Sequence, residues 1–268
     1  MKTLIIKTGH TETFDAHPEH THIVSLGDVL RTTVLLEVFK NEHVTWFTSK
    51  EAALLLSKNQ KIKKITTDFS EIENEHFDLV LNLERTDEIL EKIPHIKTSA
   101  LLGFSDKRLP EFSSKTMNWS EKLFTLIGKK WTKETYSFDW SFPASSSSRL
   151  KVGLNWKVGQ KWPGKSWPLE NWEALEKILQ SDFDISWQEG FHNLSEYIKW
   201  IGSCDYIVTH DSLGLHLALA MKKPFVALFG PTSSHEIDLA GLGVSISTQD
   251  LSVSTLADII NLKAYRHE

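Results

Sequence analysis

The sequence predicts an α/β protein built as two Rossmann-like domains of similar size that face each other across a central cleft. Three observations carry that expectation. Short β-branched or apolar runs alternate with longer helix-period segments, the pattern of parallel sheets covered by helices. A small, polar, low-complexity stretch, Phe142-Pro-Ala-Ser-Ser-Ser-Ser-Arg149, breaks the series near its middle and suits a linker. The length of 268 residues is enough for two ordinary domains, and 40% hydrophobic with 24% charged residues is a globular composition. The expected domains are residues 1–146 and 147–268.

In the first domain the apolar, β-branched runs predict strands at Thr3–Lys7, Val44–Thr48, Ile62–Thr66, Phe77–Leu81 and Ser99–Leu102. The helix-period segments between and after them predict helices at Gly27–Lys40, Glu51–Lys58, Asp87–Ile93 and Ser120–Ile127. Beyond the linker the alternation resumes. Strands are expected at Lys151–Asn155, Asp184–Trp187, Tyr206–Thr209, Phe225–Phe229 and Val244–Ser247, and helices at Leu169–Gln180, Leu194–Gly202, Leu213–Met221 and Ser254–Leu262.

Composition excludes several function classes. The net charge of -5 is shared by both halves, so neither is a basic module for nucleic acid. A single cysteine, Cys204, rules out an intramolecular disulfide and fits a reducing compartment. No apolar run approaches the roughly 18 residues of a membrane helix, and the apolar part of the N-terminus is too short for a signal peptide, so a cytoplasmic protein is expected. The basic segment Ser57-Lys-Asn-Gln-Lys-Ile-Lys-Lys64 could meet an anionic lipid headgroup at the inner face of the cytoplasmic membrane, or simply be a solvated approach to a strand.

Ligands of parallel α/β sheets lie beyond the carboxyl ends of the strands. Three segments stand there. In the first, Ser25 could cap a helix and Gly27 allow a tight turn, leaving Asp28 in the first helical turn. That carboxylate would complement the helix dipole, or carry chemistry. The second is Gly153-Leu-Asn-Trp-Lys-Val-Gly-Gln-Lys-Trp-Pro-Gly-Lys-Ser-Trp-Pro168, whose glycines permit close backbone approach and whose Lys157, Lys161 and Lys165 can bring ammonium charge to phosphate oxygens. It lacks the spacing of a Walker A loop, and could also be a solvated loop pinned by tryptophans. The third is Tyr206-Ile-Val-Thr-His-Asp-Ser-Leu-Gly-Leu-His-Leu-Ala-Leu-Ala220, followed by a strand ending in Phe229-Gly-Pro-Thr232. Its helix start should offer free N–H groups from about Ser212 to Leu215, a natural diphosphate cradle, although Asp211 could be a plain N-cap.

Together the motifs Ser25-Leu-Gly-Asp-Val-Leu30, Lys165–Pro168, Asp211-Ser-Leu-Gly-Leu-His216 and Phe229-Gly-Pro-Thr232 resemble glycosyltransferase family 9, the ADP-heptose heptosyltransferases of lipopolysaccharide assembly. The resemblance spans nearly the whole chain in the right order and is strongest in the second half. It implies a GT-B fold, with the acceptor bound by the N-terminal domain and an ADP-sugar, the donor substrate, by the C-terminal one. It implies Asp28 as catalytic base, with no metal and no cofactor. Diphosphate and donor contacts would fall to Lys161, Lys165, the helix start Ser212-Leu213-Gly214, and His216, with Asp211 on sugar hydroxyls. Glu189 and Thr232 are the expected ribose and nucleobase-side residues.

Two departures bear on that reading. The family has Gly directly after Asp-Ser/Thr, whereas this chain has Leu213 and places glycine at 214. The stretch Gly9-His-Thr-Glu-Thr-Phe-Asp-Ala-His-Pro-Glu-His-Thr-His22 is longer than the family's tight turn; its four histidines are irregularly spaced, which suits a loop over the acceptor better than a metal site. The expected function is an inverting glycosyltransferase acting on a hydroxyl acceptor such as lipopolysaccharide core. The alternatives are a degenerate member that binds a nucleotide sugar without catalysis, and another GT-B-like enzyme such as a nucleotide-sugar epimerase.

Overall fold

The computed structural model describes residues 1–10, 20, 22–105, 117–143, 147–159, 161, 163–190 and 193–264. The chain divides into two compact units, Met1–Asp139 with His235–Asp238, and Trp140–Ser234 with Leu239–Glu268.

The first unit runs β1 (Lys2–Ile6), α1 (Leu26–Thr32), β2 (His43–Phe47), α2 (Lys50–Leu56), β3 (Ile62–Thr66), β4 (His76–Phe77), β5 (Leu79–Asn82), α3 (Asp87–Lys92), β6 (Lys97–Thr98), β7 (Leu101–Gly103) and α4 (Trp119–Leu126). Its five-stranded sheet has the order β3-β2-β1-β5-β7 with every pair parallel, and Ile5 of β1 stands between Trp46 and Leu81. Alternate residues of β1 enter opposite cores. Ile5 packs with Val29, Leu35 and Phe124, while Leu4 and Ile6 pack with Phe47, Phe77 and Ile89. Burial on both faces is why β1 reads as a continuous apolar run.

Two expectations change here. The helix expected over Gly27–Lys40 ends at Thr32 and tightens into a 3-10 turn, Thr33–Glu37. The hydroxyls of Thr32 and Thr33 donate to the carbonyls of Asp28 and Leu30 at 2.7 and 2.6 Å, and such back-bonding competes with the helical ladder. The strand expected at Phe77–Leu81 is broken, because His76–Phe77 pairs separately with Lys97–Thr98 as β4 and β6, and the strand expected at Ser99–Leu102 begins only at Leu101. Asp78 makes the break, its N–H donating to the Lys2 carbonyl while its carboxylate accepts the Lys2 N–H at 2.7 Å.

The second unit runs β8 (Lys151–Asn155), α5 (Leu169–Leu179), β9 (Asp184–Trp187), α6 (Leu194–Ser203), β10 (Tyr206–His210), α7 (Leu213–Ala220), β11 (Phe225–Phe229), β12 (Gly243–Ser247) and α8 (Val253–Ala264). Its sheet, β12-β11-β10-β8-β9, is again wholly parallel. Every residue of α7 from Gly214 to Ala220 is buried, which accounts for its small and aliphatic composition. The presumed linker begins as packed structure, since a Cβ on Gly202 of α6 would overlap the Phe142 ring; residues 144–146 of that stretch lie outside the described residues. Among the described residues no helix is long and apolar enough to cross a membrane.

Strand order reverses between β1 and β5 in the first sheet and between β8 and β10 in the second. At such points the loops splay apart beyond the strand ends and leave a crevice.

Candidate functional site

In the second unit, β10 delivers Asp211 and Ser212 to that crevice. Ser212 is extended, at φ -150, and caps α7: its Oγ accepts the Gly214 N–H at 3.3 Å, and its carbonyl accepts the Leu215 N–H at 3.1 Å. The four free N–H groups expected over Ser212–Leu215 therefore narrow to two. Those of Ser212 and Leu213 have no hydrogen-bond partner among the described residues, and they stand at the positive end of the α7 dipole. Glycine at 214 is required by packing: a Cβ there would overlap the Asn155 amide and lie 2.7 Å from the Tyr197 hydroxyl. The displaced glycine thus admits a side-chain relay. Tyr197 donates to Asn155 Oδ1 at 2.9 Å, and Asn155 Nδ2 donates to the hydroxyls of Thr209 at 2.7 Å and Ser212 at 3.3 Å. Burial raises the Tyr197 phenol well above its ordinary range, which keeps it a donor.

Lys165, Asp211 and Thr232 converge beside the helix start. Asp211 Oδ2 accepts Lys165 Nζ at 2.6 Å and the Thr232 hydroxyl at 2.7 Å, and Lys165 also reaches the Asp211 carbonyl at 3.1 Å. Both charged side chains are nearly enclosed, 11% and 13% exposed. Burial works to raise the Asp211 carboxyl, but the Lys165 charge and hydrogen bond, helped by His216 and Thr232, hold it below the ordinary carboxylate range. Asp211 is thus an ionised anchor and not a plain cap. Gly230 lies against the Lys165 loop, where a Cβ would make ordinary contact with the Gly164 carbonyl oxygen at 3.5 Å.

The Lys-Xaa-Trp-Pro element is fixed from beneath. Trp167 N–H donates to His210 Nε2 at 2.9 Å, placing the ring proton on Nδ1, and the His210 ring packs edge-on against Trp172. Burial, reinforced by the Lys165 charge, lowers His210 to about 4, so it is neutral near pH 7. His216 and Lys161 are buried. Glu189 is exposed just past β9; its carbonyl accepts Lys157 Nζ at 3.4 Å. The structure therefore gathers Lys165, Asp211, Ser212, Leu213, Gly214 and Thr232 at one strand-end cluster, and leaves Glu189 on the β9 edge. Sequence reasoning passed over Asn155 and Tyr197; the position of Asn155 at the end of β8, beside the reversal of strand order, was the available signal.

In the first unit, the crevice between β1 and β5 is closed by Glu84, which is fully buried. Its Oε1 accepts the N–H groups of Thr8 at 2.6 Å and Gly9 at 2.7 Å, with Lys7 Nζ at 3.6 Å. The Gly9 carbonyl in turn accepts Ser25 N–H at 2.8 Å, so Gly9 joins the two ends of the histidine-bearing insertion and Glu84 anchors the first of them. Gly9 has φ +91, a conformation open to glycine, and a Cβ there would lie 2.9 Å from the Ser25 carbonyl. Ser25 occupies the N-cap of α1 as expected, but its side chain makes no capping bond; its carbonyl accepts the Asp28 N–H at 3.1 Å instead. Asp28 then stands in the first turn of α1, 14% exposed, in an ion pair with Arg31. Residues 11–19 and 21 of the insertion lie outside the described residues. Among the described residues no group of three or more His, Cys, Asp and Glu is arranged to hold a metal.

The basic segment read as either a lipid contact or a solvated approach to a strand has two of its lysines in ion pairs. Lys61 pairs with Glu37 at 2.7 Å and Lys64 with Glu71 and Glu75 at 3.3 and 3.2 Å.

Residues 190–255 match the model of glycosyltransferase family 9 (heptosyltransferase). A 44-residue stretch is 46% identical to lipooligosaccharide heptosyltransferase 2 of Haemophilus influenzae; it is 16% of this chain and spans only 13% of the relative's length. In fold the likeness covers the whole chain. A family 9 glycosyltransferase from Veillonella parvula superposes with a TM-score of 0.76 at 14% identity, over 98% of this chain and 97% of the other. The E. coli ADP-heptose lipopolysaccharide heptosyltransferase II gives 0.73 at 15%, over 100% and 99%. A third neighbour is E. coli heptosyltransferase WaaC with ADP-2-deoxy-2-fluoro heptose, at 0.69 and 15%, over 100% of both. The architecture is that of the two-sheet GT-B enzymes, and the family-matched segment holds the Asp211 cluster and Thr232; Asp28 and Lys165 lie outside it.

Proposed function

We propose that this chain, which has the fold of glycosyltransferase family 9 and a segment matching that family's model, is an inverting, metal-independent glycosyltransferase that moves a heptose or related sugar from an ADP-sugar to a hydroxyl acceptor. The observation that carries the reading is the convergence of Lys165, Asp211 and Thr232 on the two open N–H groups of α7. That is a site made for a diphosphate beside a sugar.

In the proposed step the acceptor hydroxyl gives its proton to Asp28, and its oxygen bonds to the anomeric carbon. The bond from that carbon to the diphosphate oxygen breaks, and ADP leaves with the electron pair. Fixed donors at the leaving group lower the barrier because they need not reorganise as charge develops. Lys165 and the Ser212–Leu213 N–H groups supply them, while the Asp211 oxygens serve the sugar hydroxyls. Cationic charge already present at the leaving group is what supports metal independence. Glu189 and Lys161 remain our candidates for the ribose and the diphosphate flank, and His216 for a place beside the helix start. The names of the solved neighbours support ADP-heptose as donor and a lipopolysaccharide-type acceptor; the place we propose for the reaction is the cytoplasmic face of the membrane.

The deciding experiment is Asp28→Asn, read as sugar transfer and as ADP binding. Loss of turnover with binding retained is expected; normal turnover would remove Asp28 as base. A second reading, a binder without catalysis, is favoured by Leu213 where the family has glycine. Transfer from ADP-heptose by the purified protein would eliminate it.

A further inference from the structure

We propose that Arg31, gripped by Trp119, is a positioning residue that fixes the Asp28 carboxylate for proton abstraction. The inference rests on the reading of Asp28 as the base and goes beyond it.

Asp28 is restrained at three points. Its N–H is bound by the Ser25 carbonyl at 3.1 Å, its own carbonyl accepts the Thr32 hydroxyl at 2.7 Å, and its Oδ1 is ion-paired with Arg31 Nη2, one turn on along α1. The first two set the backbone. The third acts on the carboxylate itself, and the plane of a carboxyl group turns easily about its terminal torsion.

Arg31 differs from an ordinary helix-surface partner. A solvated i,i+3 pair flexes, and contributes only about 0.2–0.5 kcal/mol. Here both side chains are almost enclosed, Arg31 at 10% and Asp28 at 14% exposure. The guanidinium lies over the Trp119 ring with its carbon 4.0 Å from the ring centre. Trp119 opens α4, whose start is itself pinned by the Asn118 cap, with Asn118 Oδ1 accepting Ser120 N–H at 2.9 Å. The planar cation is therefore clamped between a carboxylate edge and an indole face. Arginine is suited to this and lysine is not, because only the guanidinium is flat enough to stack while presenting a forked edge of donors. Proton abstraction needs only one of the two carboxylate oxygens.

The test uses Arg31→Met, Arg31→Lys, Arg31→Ala and Trp119→Leu in the full chain, with ADP-heptose as donor and heptose-deficient lipopolysaccharide as acceptor. ADP release is read as kcat and KM, ADP binding by calorimetry. We expect Arg31→Met to lower kcat about 10- to 100-fold with ADP affinity and donor KM within about twofold of the unaltered protein. Arg31→Lys should recover little of it, and Trp119→Leu should fall between. Millimolar guanidinium should restore part of the kcat of Arg31→Ala. On an Asp28→Asn background the further change Arg31→Met should have no effect, because the group it positions is gone. Full kcat in Arg31→Met, or an equal loss of ADP binding, would overturn the proposal while leaving Asp28 as base if Asp28→Asn is inactive. Full turnover in Asp28→Asn, or none in the unaltered protein, would overturn the parent reading and this one with it.

Discussion

Lys165 Nζ lies 2.6 Å from Asp211 Oδ2, and the Thr232 hydroxyl donates to that same oxygen at 2.7 Å. The cation assigned to the diphosphate is thus fixed by a carboxylate before any donor arrives. Lys165→Met should weaken ADP binding about 10- to 100-fold and, by stranding an enclosed carboxylate, lower unfolding stability by about 3 kcal/mol. Calorimetry and urea unfolding check the two effects; unchanged ADP affinity would place the lysine outside the donor site.

Gly214 and Tyr197 are joined by close packing and not by the chain. Because a Cβ at 214 would overlap the Asn155 amide, Gly214→Ala must move the start of α7. The expected cost is about 1–3 kcal/mol together with at least tenfold weaker ADP binding. Tyr197→Phe, which removes only the hydroxyl bonded to Asn155, should cost about 1 kcal/mol and weaken binding less.

His210 gives the second unit a sensitivity to acid. Its folded value is lowered to about 4 from the ordinary 6.5, chiefly by burial, so in that interval the unfolded chain takes up a proton that the folded chain refuses. The contribution is fully present above pH 6.5 and is lost as pH falls toward 4, by up to roughly 3 kcal/mol. Asp211, held low mainly against its own burial by Lys165, loses its contribution only further down. Urea unfolding across pH 4–8 should show the loss, and His210→Gln should flatten it; an identical slope in the variant would contradict the assignment.

Glu84 bonds to Thr8 and Gly9 across 76 and 75 residues of sequence. Glu84→Ala would leave two buried N–H groups and the Lys7 ammonium without that acceptor, and should destabilise the first unit by about 3–5 kcal/mol. Glu84→Gln keeps one acceptor oxygen and should lose less. Thermal unfolding with turnover ranks them; wild-type stability in Glu84→Ala would show that the Thr8–Gly9 turn holds without the carboxylate.

These residues also mark where the sequence was legible. Strands such as Lys151–Asn155 and Phe225–Phe229 were read correctly because burial on both faces leaves a short run of mainly apolar residues. Ile62–Thr66, at the edge of its sheet, was marked by Ile62, Ile65 and Thr66 around two lysines. The cluster at Asp211–Gly214 was readable because helix start and strand end lie within a few residues. What escaped depends on partners distant in the chain. Glu84 acts on residues that only the β1–β5 pairing brings near, and Asn155 on a helix cap 57 residues away. The break at Asp78 escaped for the same reason, since its cause is a bond to Lys2. Arg31 was hidden differently: an i,i+3 charge pair reads as solvated surface until Trp119 is seen to cover it.

The central claim is that the second unit holds an ADP-sugar without a metal. Calorimetric titration of the purified protein with ADP, UDP and GDP, in chelator and then with magnesium, tests it most directly. The account predicts selective ADP binding, unaltered by magnesium and weakened in Lys165→Met. Tighter binding of UDP or GDP, binding that requires magnesium, or no nucleotide binding at all would contradict it.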